Sequence, residues 1–309
     1  MNWSSPVAAL ALVGGVLAVG SYVVAVLDAA GARMAAGRPV QLWDTAATPV
    51  RRAALLALTQ RSATERPDAQ AWALAPALLM AMAAAGVALV PWGRGVVVAD
   101  LDEGIVAFGA AMATVMVAVY LHGWSANSAL PLIGGYRFIA LALSYEMPLA
   151  LVLIAAALPA QSLSLGEIVA SQEGLWNVVR QPLGLPLYLV AGLGLAFWEP
   201  LNLADGPDLS GGTTAEVSGP DRLVWALARH CVVVAVAAVG AATFLGGWWG
   251  PVLPGPVWMA LKTLALAAVV VGLGHRVARV RLERFVVVAW TVLIPLALVD
   301  VFLSGALAL

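Results

Sequence analysis

Residues 123–149 read GWSANSALPLIGGYRFIALALSYEMPL, a polar, glycine-rich segment that runs into an apolar stretch continuing to Leu158. The apolar part begins at Phe138, and about 20 consecutive apolar residues are enough for a helix to cross the hydrocarbon core of a bilayer. One carboxylate, Glu146, lies inside the stretch, with Pro148 two positions later. Charges inside membrane spans are costly and usually mark a pathway or an ion pair. The stretch therefore predicts a transmembrane helix with a functional or paired carboxylate.

The composition of the whole chain agrees with a membrane protein. Its 309 residues are 62% hydrophobic and 11% charged, with a mean hydropathy of +0.93. Soluble domains are about 45–50% apolar and about 25% charged, so this apolar excess belongs in lipid. The net charge of -1 gives no indication of nucleic-acid binding. The single cysteine, Cys231, excludes an intrachain disulfide and an iron–sulfur cluster held by this chain alone, which needs about four thiolates.

Eight apolar stretches predict eight transmembrane helices. They run roughly over Pro6–Leu27, Ala71–Val90, Ile105–His122, Phe138–Leu158, Leu185–Pro200, Cys231–Trp248, Val257–Leu273 and Phe285–Leu303. We therefore expect an all-α, polytopic membrane protein in which residues 1–309 form one integral membrane domain. The fifth stretch is short, and we expect it to be tilted or irregular. No Lys or Arg precedes the first stretch, whereas a signal peptide begins with a positive region, so we expect a retained first helix.

The arginines predict the orientation, because cytoplasmic loops of membrane proteins carry an excess of Lys and Arg. Of the 16 Lys and Arg residues, Arg94 and Arg180 fall in loops on one side, and Lys262 falls inside the seventh stretch. The others fall in the first, third, fifth and seventh loops: Arg33, Arg38, Arg51, Arg52, Arg61, Arg66, Arg137, Arg222, Arg229, Arg276, Arg279, Arg281 and Arg284. We therefore expect the odd-numbered loops in the cytoplasm and the N-terminus outside.

Five ionisable residues lie in or at the ends of predicted spans. Lys262 lies near the start of the seventh, Arg137 opens the fourth and Glu146 lies inside it, Glu199 ends the fifth, and Asp300 lies near the outer end of the eighth. Such residues mark pathways or coupled pairs, or else form local salt bridges and solvated helix ends. For Glu199 and Asp300 the latter interpretation is favoured.

The fifth loop, from Asn202 to Arg229, is acidic and rich in glycine. Its carboxylates are Asp205, Asp208, Glu216 and Asp221. Such a loop could form a docking and proton-access surface, and it is equally typical of an ordinary solvated loop.

Three histidines, His122, His230 and His275, are expected at the cytoplasmic ends of spans. Two of them could ligate a haem from facing helices, but interfacial polar caps are the favoured interpretation. The sequence has no phosphate-binding loop, dinucleotide fingerprint or zinc-ligand spacing. The residues alone therefore predict a helical membrane protein with buried ionisable groups that could move protons or ions.

Three motifs in the opening segment carry a resemblance to a known family. Residues 123–128 read Gly-Trp-Ser-Ala-Asn-Ser, residues 134–137 read Gly-Gly-Tyr-Arg, and residues 144–146 read Ser-Tyr-Glu. In order and spacing they resemble the complex I subunit 1 family, whose members carry Gly-Trp-Ser-x-Asn-Ser, a Gly-x-x-Arg turn and Ser-Tyr-Glu in a helix.

Segments elsewhere in the chain resemble the same family. They are Asp100-Leu-Asp-Glu-Gly-Ile, Ile168-Val-Ala-Ser-Gln, Glu216-Val-Ser-Gly, Leu261-Lys-Thr, and Arg276 to Arg284 with the following Leu293-Ile-Pro-Leu. The resemblance covers Asp100 to Val301 well and the first hundred residues loosely. It implies eight helices with the N-terminus outside.

The resemblance also implies a function. Subunit 1 lines the tunnel along which quinone reaches the last iron–sulfur cluster, and its cytoplasmic loops meet the hydrophilic arm. It implies proton-coupling roles for Glu146, Arg137, Lys262 and Glu199. It places Asp205, Asp208, Glu216, Arg276, Arg281 and Glu283 at the quinone tunnel or the arm interface.

The same resemblance implies the setting of the chain. Its partners would be the iron–sulfur and quinone-site subunits of the arm, together with antiporter-like and small membrane subunits in the inner (plasma) membrane. Quinone would be a substrate of the complex, with no cofactor or metal bound by this chain alone.

Two loops depart from the family pattern. The arginine of Ala-Glu-Thr-Asn-Arg-x-Pro-Phe-Asp is missing from residues 196–205, where Asn202 stands at an aspartate position, and the first loop lacks the family's acidic and lysine positions. These losses favour an alternative, a membrane anchor of a group 4 nickel–iron hydrogenase or formate hydrogenlyase-type complex. A stand-alone transporter is a third hypothesis, disfavoured because no internal repeat is visible.

Overall fold

The computed structural model describes residues 6–308, with the side chains of residues 6–307. In chain order the helices are α1 (Pro6–Ala35), α2 (Leu42–Leu58), α3 (Ala69–Leu89), α4 (Gly104–Ser125), α5 (Ala129–Ala157), α6 (Leu165–Ala170), α7 (Asn177–Arg180), α8 (Gly184–Leu195), α9 (Gly219–Phe244), α10 (Gly255–Arg276), α11 (Leu282–Val288) and α12 (Ile294–Ala308). A π-helical turn, Ala289–Leu293, joins α11 to α12 in one continuous span. The all-α prediction is confirmed.

Within the described range, seven helices are long and apolar enough to cross a membrane: α1, α3, α4, α5, α9, α10 and the joined α11–α12. The chain is therefore a multi-pass membrane protein. The fifth predicted span, Leu185–Pro200, corresponds to α8, an apolar helix of only 12 residues. At about 1.5 Å per residue it covers about 18 Å, which is short of the ~30 Å hydrocarbon core.

An irregular segment, residues 196–204, extends the path of α8. Its backbone is bonded inside the protein: the N–H of Trp198 donates to Leu193 O, and the N–H of Leu201 donates to Trp198 O. Almost every side chain of the segment is buried. Non-helical backbone at membrane depth is tolerated only where protein surrounds it, and that condition is met here.

Helix α9 is the centre of the bundle. Every residue from Cys231 to Phe244 is buried, and the helix packs against α1, α2, α3, α8 and α10. This stretch is mainly Val and Ala, and small residues let neighbouring backbones approach closely. Gly240, for example, lies directly against the ring of Tyr188 on α8.

Two helices begin well before their predicted starts, and three of the arginines predicted in loops lie on these early turns. Arg137 lies on α5, and both Arg222 and Arg229 lie on α9. The glycines before Arg137 suggested a turn, but Gly134 instead packs against the backbone of the 196–218 loop, where a larger side chain would collide with Ala204 O. A packing glycine and a turn glycine look alike in a sequence.

Helix α2 was not predicted at all. It lies in the first loop and carries Arg51 and Arg52. Asp44 in its first turn pairs with Arg33 at the end of α1 and with Arg51, and these arginines hold the pKa of the Asp44 carboxyl below its usual value. The ion pairs fasten α2 to the end of α1.

Candidate functional site

One end of the bundle, here called the basic end, carries the connecting segments 36–41, 59–68, 126–128, 196–218 and 277–281. Contacts between them hold the loops together: Asp68 N donates to Ser125 O, Ser62 pairs with Ser218, and Ser128 donates to Glu216 at 3.1 Å. Arg94, Arg180 and Lys262 lie toward the opposite end. The arginines that the sequence placed on one side therefore lie at the basic end.

The centre of the basic end is Arg229 on α9. Its guanidinium lies over the rings of Phe197 and Trp198, 5.1 and 4.5 Å from their centroids. Its Nη1 is 3.9 Å from Asp205 Oδ2. Aromatic faces attract cations, so the irregular segment and the acidic loop hold this arginine together.

Asp205 is a largely buried carboxylate next to that arginine, with 9% of its side chain exposed. Thr213 donates its hydroxyl to Asp205 Oδ1, and the Asp205 backbone N–H donates to Asn202 Oδ1. Burial raises the pKa of Asp205 above its usual value, although Arg229 and the Thr213 hydroxyl act in the other direction. Burial disfavours the ionised form of a carboxyl group, so Asp205 binds a proton more readily than an exposed aspartate.

Glu199 forms an ion pair with Arg279 through two hydrogen bonds, one of them 3.1 Å from Arg279 Nε to Glu199 Oε2. The peptide bond between Glu199 and Pro200 is cis, and Pro200 O accepts a hydrogen bond from Val280 N at 3.2 Å. The segment before α11 is therefore tied to the segment that follows α8.

Arg137 and Asp208 form a third pair, which is more exposed. Arg137 Nη1 donates to Asp208 Oδ2, and this hydrogen bond lowers the pKa of Asp208. The pair joins α5 to the acidic loop. Three further predicted residues, Arg276, Arg281 and Glu283, lie exposed at the basic end.

A row of contacting rings runs from the basic end into the bundle. His122 stacks on Trp225 with centroids 3.6 Å apart, Trp225 is 5.9 Å from Phe197, Phe197 is 5.5 Å from Phe138, and Phe138 is 6.4 Å from Tyr145. These five residues, here called the aromatic row, come from α4, α5, α9 and the irregular segment. The row leads from Phe197, beside Arg229, to Tyr145, the residue before Glu146.

Glu146 lies in the membrane-spanning part of α5, nine residues after Arg137 and about 14 Å along the helix. It is half-buried, and its Oε1 is buried without a hydrogen-bond partner among residues 6–307. The hydroxyl of the fully buried Tyr145 also lacks a partner there. Arg137 is already paired with Asp208, so the structure does not bring Arg137 and Glu146 together.

Lys262 lies far from the other predicted coupling residues. Its Nζ donates to Gly247 O at 3.0 Å and to Trp249 O at 2.6 Å, and it lies 4.0 Å from the ring centroid of Trp176. The lysine thus binds the loop after α9, at the end opposite the basic end.

Sequence reasoning missed Arg229 and Arg279 as site residues. The sequence places both among the loop arginines, whereas Arg229 is a partly buried residue of α9 that interrupts an apolar run beginning at Leu223. That interruption was the available signal. Nothing in the sequence pairs Arg279 with Glu199, because the two are separated by 80 positions.

The histidines have separate surroundings. His122 belongs to the aromatic row, His230 lies beside Trp198 with ring centroids 5.8 Å apart, and His275 pairs with Asp28 at 3.0 Å. His122 lies in the last turn of α4, at a span end as predicted, and its ring is buried against Trp225.

Comparison with known proteins supports the resemblance found in the motifs. The profile of a family described as "NADH dehydrogenase" matches residues 48–305. The second of the H subunits of NADH-quinone oxidoreductase in Cereibacter sphaeroides is 37% identical over 243 residues, which are 78% of this chain and 76% of that protein. The chain belongs to this family, that of complex I subunit 1.

Other relatives agree with the assignment. The first of the H subunits in Rhodopseudomonas palustris is 36% identical over 239 residues, 77% of this chain and 75% of the relative. The second of those in Syntrophobacter fumaroxidans is 32% identical over 243 residues, 75% of this chain and 73% of the relative. These relatives, all from NADH-quinone oxidoreductases, do not favour the hydrogenase-anchor alternative.

Proposed function

We propose that this chain is the membrane subunit of a complex I-like redox-driven proton translocase, in which it lines the quinone tunnel and couples quinone reduction to proton pumping. The observation that carries the proposal is its 37% identity to the H subunit of an NADH-quinone oxidoreductase across three quarters of both chains. Quinone is then the substrate of the complex, and the redox centres belong to partner subunits.

The loop of residues 196–218 supports the coupling role. Three carboxylates in it, Glu199, Asp205 and Asp208, each have an arginine from another segment as neighbour. Reduction of a quinone to a quinol consumes protons at its site. Because burial raises the pKa of Asp205, this carboxyl is the group of the loop best suited to hold a proton. A change in its charge would act directly on Arg229.

The aromatic row offers the next step toward the membrane. It connects the ring beneath Arg229 to Tyr145, next to Glu146. Since Glu146 has a buried oxygen without a partner among the described side chains, we assign to it the change of charge within the membrane. We assign to Arg137 the anchoring of the acidic loop, and to Lys262 the anchoring of the opposite end.

We further propose a placement for the protein in the complex. The basic end faces the cytoplasm, where the iron–sulfur and quinone-site subunits of a hydrophilic arm dock onto Arg276, Arg281, Glu283 and Glu216. Antiporter-like and small membrane subunits lie beside this one-domain bundle in the inner (plasma) membrane, and the N-terminus is outside. Labelling of a cysteine introduced at Ser62 only from the cytoplasmic side supports this orientation, and labelling only from outside overturns it.

The test of the coupling role is Glu146→Gln, which keeps the size of the side chain and removes its charge. We expect an assembled complex with reduced quinone reduction and reduced proton pumping. The matched control is Glu173→Gln, at an exposed position of the opposite end, which we expect to behave as wild type. Full quinone reduction and full proton pumping in the Glu146 variant would contradict the coupling role assigned to Glu146.

A further inference from the structure

Asp300, on α12, is an almost completely buried carboxylate with a relative exposure of 1%. Neither of its oxygens has a hydrogen-bond partner among residues 6–307. Ser304, one helical turn later, is equally buried, and its hydroxyl also lacks a partner there. The expected salt bridge or solvated helix end is therefore wrong for Asp300.

The carboxylate lies against the start of α8. A methyl group placed on Gly184 would be 3.1 Å from Asp300 Oδ2, 3.5 Å from the Cβ of Gln181 and 2.8 Å from the ring of Phe244. The missing side chain of Gly184 is thus what makes room for the carboxylate. Asp300 and Gln181 border the same small space, between α12 and the start of α8.

Gln181 presents an acceptor oxygen in this space. Its Nε2 donates to Ala155 O at 2.7 Å, and because only the nitrogen can donate to a carbonyl, the orientation of the amide is fixed. Its buried Oε1 has no donor within the described part of the chain. Asn177, one turn earlier, repeats the pattern: its Nδ2 donates to Thr243 O at 2.9 Å, and its Oδ1 is left over.

The start of α8 offers few donors of its own. Gly184 N already donates to Gln181 O, Leu187 N donates to Leu183 O, and Pro186 has no N–H. No backbone N–H at the start of this helix donates to Asp300 in the structure, so an ionised carboxylate there would lack the donors that water supplies.

Charged groups of the described chain are directed elsewhere. Arg180 donates to Ser171 O at 3.0 Å, and Lys262 binds the loop after α9. Of the elements packed against α12, the turns Leu158–Ala160 and Ala289–Leu293 have no titratable side chain, and α8 has only Tyr188, which donates to Val236 O.

Helix α5, also packed against α12, keeps its titratable side chains at a distance. They are Tyr136, Arg137, Tyr145 and Glu146, and all lie at least nine residues before Ala155, the partner of Gln181. An ionised Asp300 would thus face acceptor oxygens with no cation beside it.

We propose that Asp300 is a proton-binding site: its carboxyl carries a proton, donates it in a hydrogen bond to Gln181 Oε1, and exchanges it with the aqueous phase at the end opposite the basic end. A protonated carboxyl supplies the donor that the surrounding acceptors lack. The site lies close to the surface of the protein at that end, because Pro182, adjacent to Gln181, is exposed in the connecting segment before α8. The site is distinct from Asp205 and Glu146 and adds a third proton position to the protein.

Infrared spectroscopy of the purified complex tests the proposal. We expect the carbonyl stretch of a protonated carboxyl in wild type, its loss in Asp300→Asn, its displacement in Asp300→Glu, and a shift when water is replaced by D2O. The control Asp102→Asn, at an exposed position, should leave the band unchanged.

Each result decides the matter. A band that persists unaltered in the Asn variant shows that Asp300 is ionised and overturns the proposal, and a band that does not shift in D2O overturns the exchange with water. Should the Asn variant not assemble, the Glu variant carries the same test, and an unmoved band there overturns the assignment. The readout needs no quinone turnover, so it fails or succeeds independently of the proposed function.

Discussion

Ionisable residues have different partners in two regions of the protein: they are paired with opposite charges at the basic end and are unpaired in the membrane-embedded half. At the basic end Glu199, Asp205 and Asp208 lie beside arginines. In the spans and at the opposite end, Glu146, Asp300 and Lys262 have no opposite charge paired with them among the described residues. Ion pairs hold loops in one arrangement, whereas an isolated ionisable group in a membrane marks a place where charge or protons are handled. We infer that the ion pairs of the basic end form a fixed framework, and that the groups whose protonation changes are the unpaired carboxylates together with Asp205, whose burial raises its pKa.

The strongest test of this contrast is Arg229→Met. It removes the cation beside Asp205 and leaves a buried carboxylate alone, a change that costs about 3–5 kcal/mol in buried pairs. Because Arg229 Nη1 and Asp205 Oδ2 are 3.9 Å apart, we expect a loss of stability near the lower end of this range. Thermal unfolding of the purified complex measures this loss.

The control for this variant is Arg222→Met on the same helix, where the side chain is exposed and little change is expected. Equal melting temperatures for the two variants would mean that the arginine at the centre of the basic end does not hold the loop.

A smaller loss of stability is expected for Lys262→Met. The lysine makes two charge-assisted hydrogen bonds to the loop after α9, and each such bond contributes about 1.5–3 kcal/mol. Because the buried ammonium group also loses its hydration, which offsets part of the gain from the two bonds, we expect a net destabilisation of about 1.5–3 kcal/mol, with faster proteolysis or hydrogen exchange in residues 245–254. Leu261→Met, at the exposed neighbouring position, is the control. Reduced proton pumping with unchanged stability would instead place Lys262 among the groups that change charge.

The smallest change in stability is expected for Asp208→Asn. The pKa of Asp208 is lowered from 3.8 by the hydrogen bond from Arg137, so its stabilisation is present above that value and is lost as the pH falls through the lower folded-state pKa. Because the pair is largely exposed, we expect only about 0–1 kcal/mol. Asp208→Asn should lower the melting temperature slightly at neutral pH and leave it unchanged in strong acid.

The pKa of Asp205 is shifted in the direction opposite to that of Asp208, so the two carboxylates of the loop respond differently to pH. The folded-state pKa of Asp205 is raised, so ionising it costs stability as the pH rises from 3.8 toward the higher value. A stability difference between wild type and Asp208→Asn that grew with acidification would contradict the assignment of the lowered pKa to Asp208.

The sequence predicted most of the architecture, because long apolar runs have few alternatives to membrane helices. It predicted seven long spans and an irregular fifth one, α8 with its continuation. It placed the starts of α5 and α9 too late, since Gly134 and Gly219 resemble turn residues and only the fold shows one of them packed against Ala204. Helix α2 is too short and too polar to stand out in a search for spans.

The contacts of the site were less predictable than its residues. Glu199 and Asp208 were identified through the family resemblance, but their partners, Arg279 and Arg137, are set by which loops meet at the basic end. The isolation of Asp300 could not be predicted either. It depends on Gly184 leaving space, and on the Gln181 amide using its nitrogen elsewhere.

The central claim is that this chain works as a subunit of a complex I-like assembly, and the composition of its native complex tests that claim most directly. The tagged protein would be purified in mild detergent, and the chains that accompany it would be identified by mass spectrometry. We predict iron–sulfur subunits together with antiporter-like membrane subunits. A hydrogenase large subunit with nickel ligands, or recovery of the chain alone, would contradict the account.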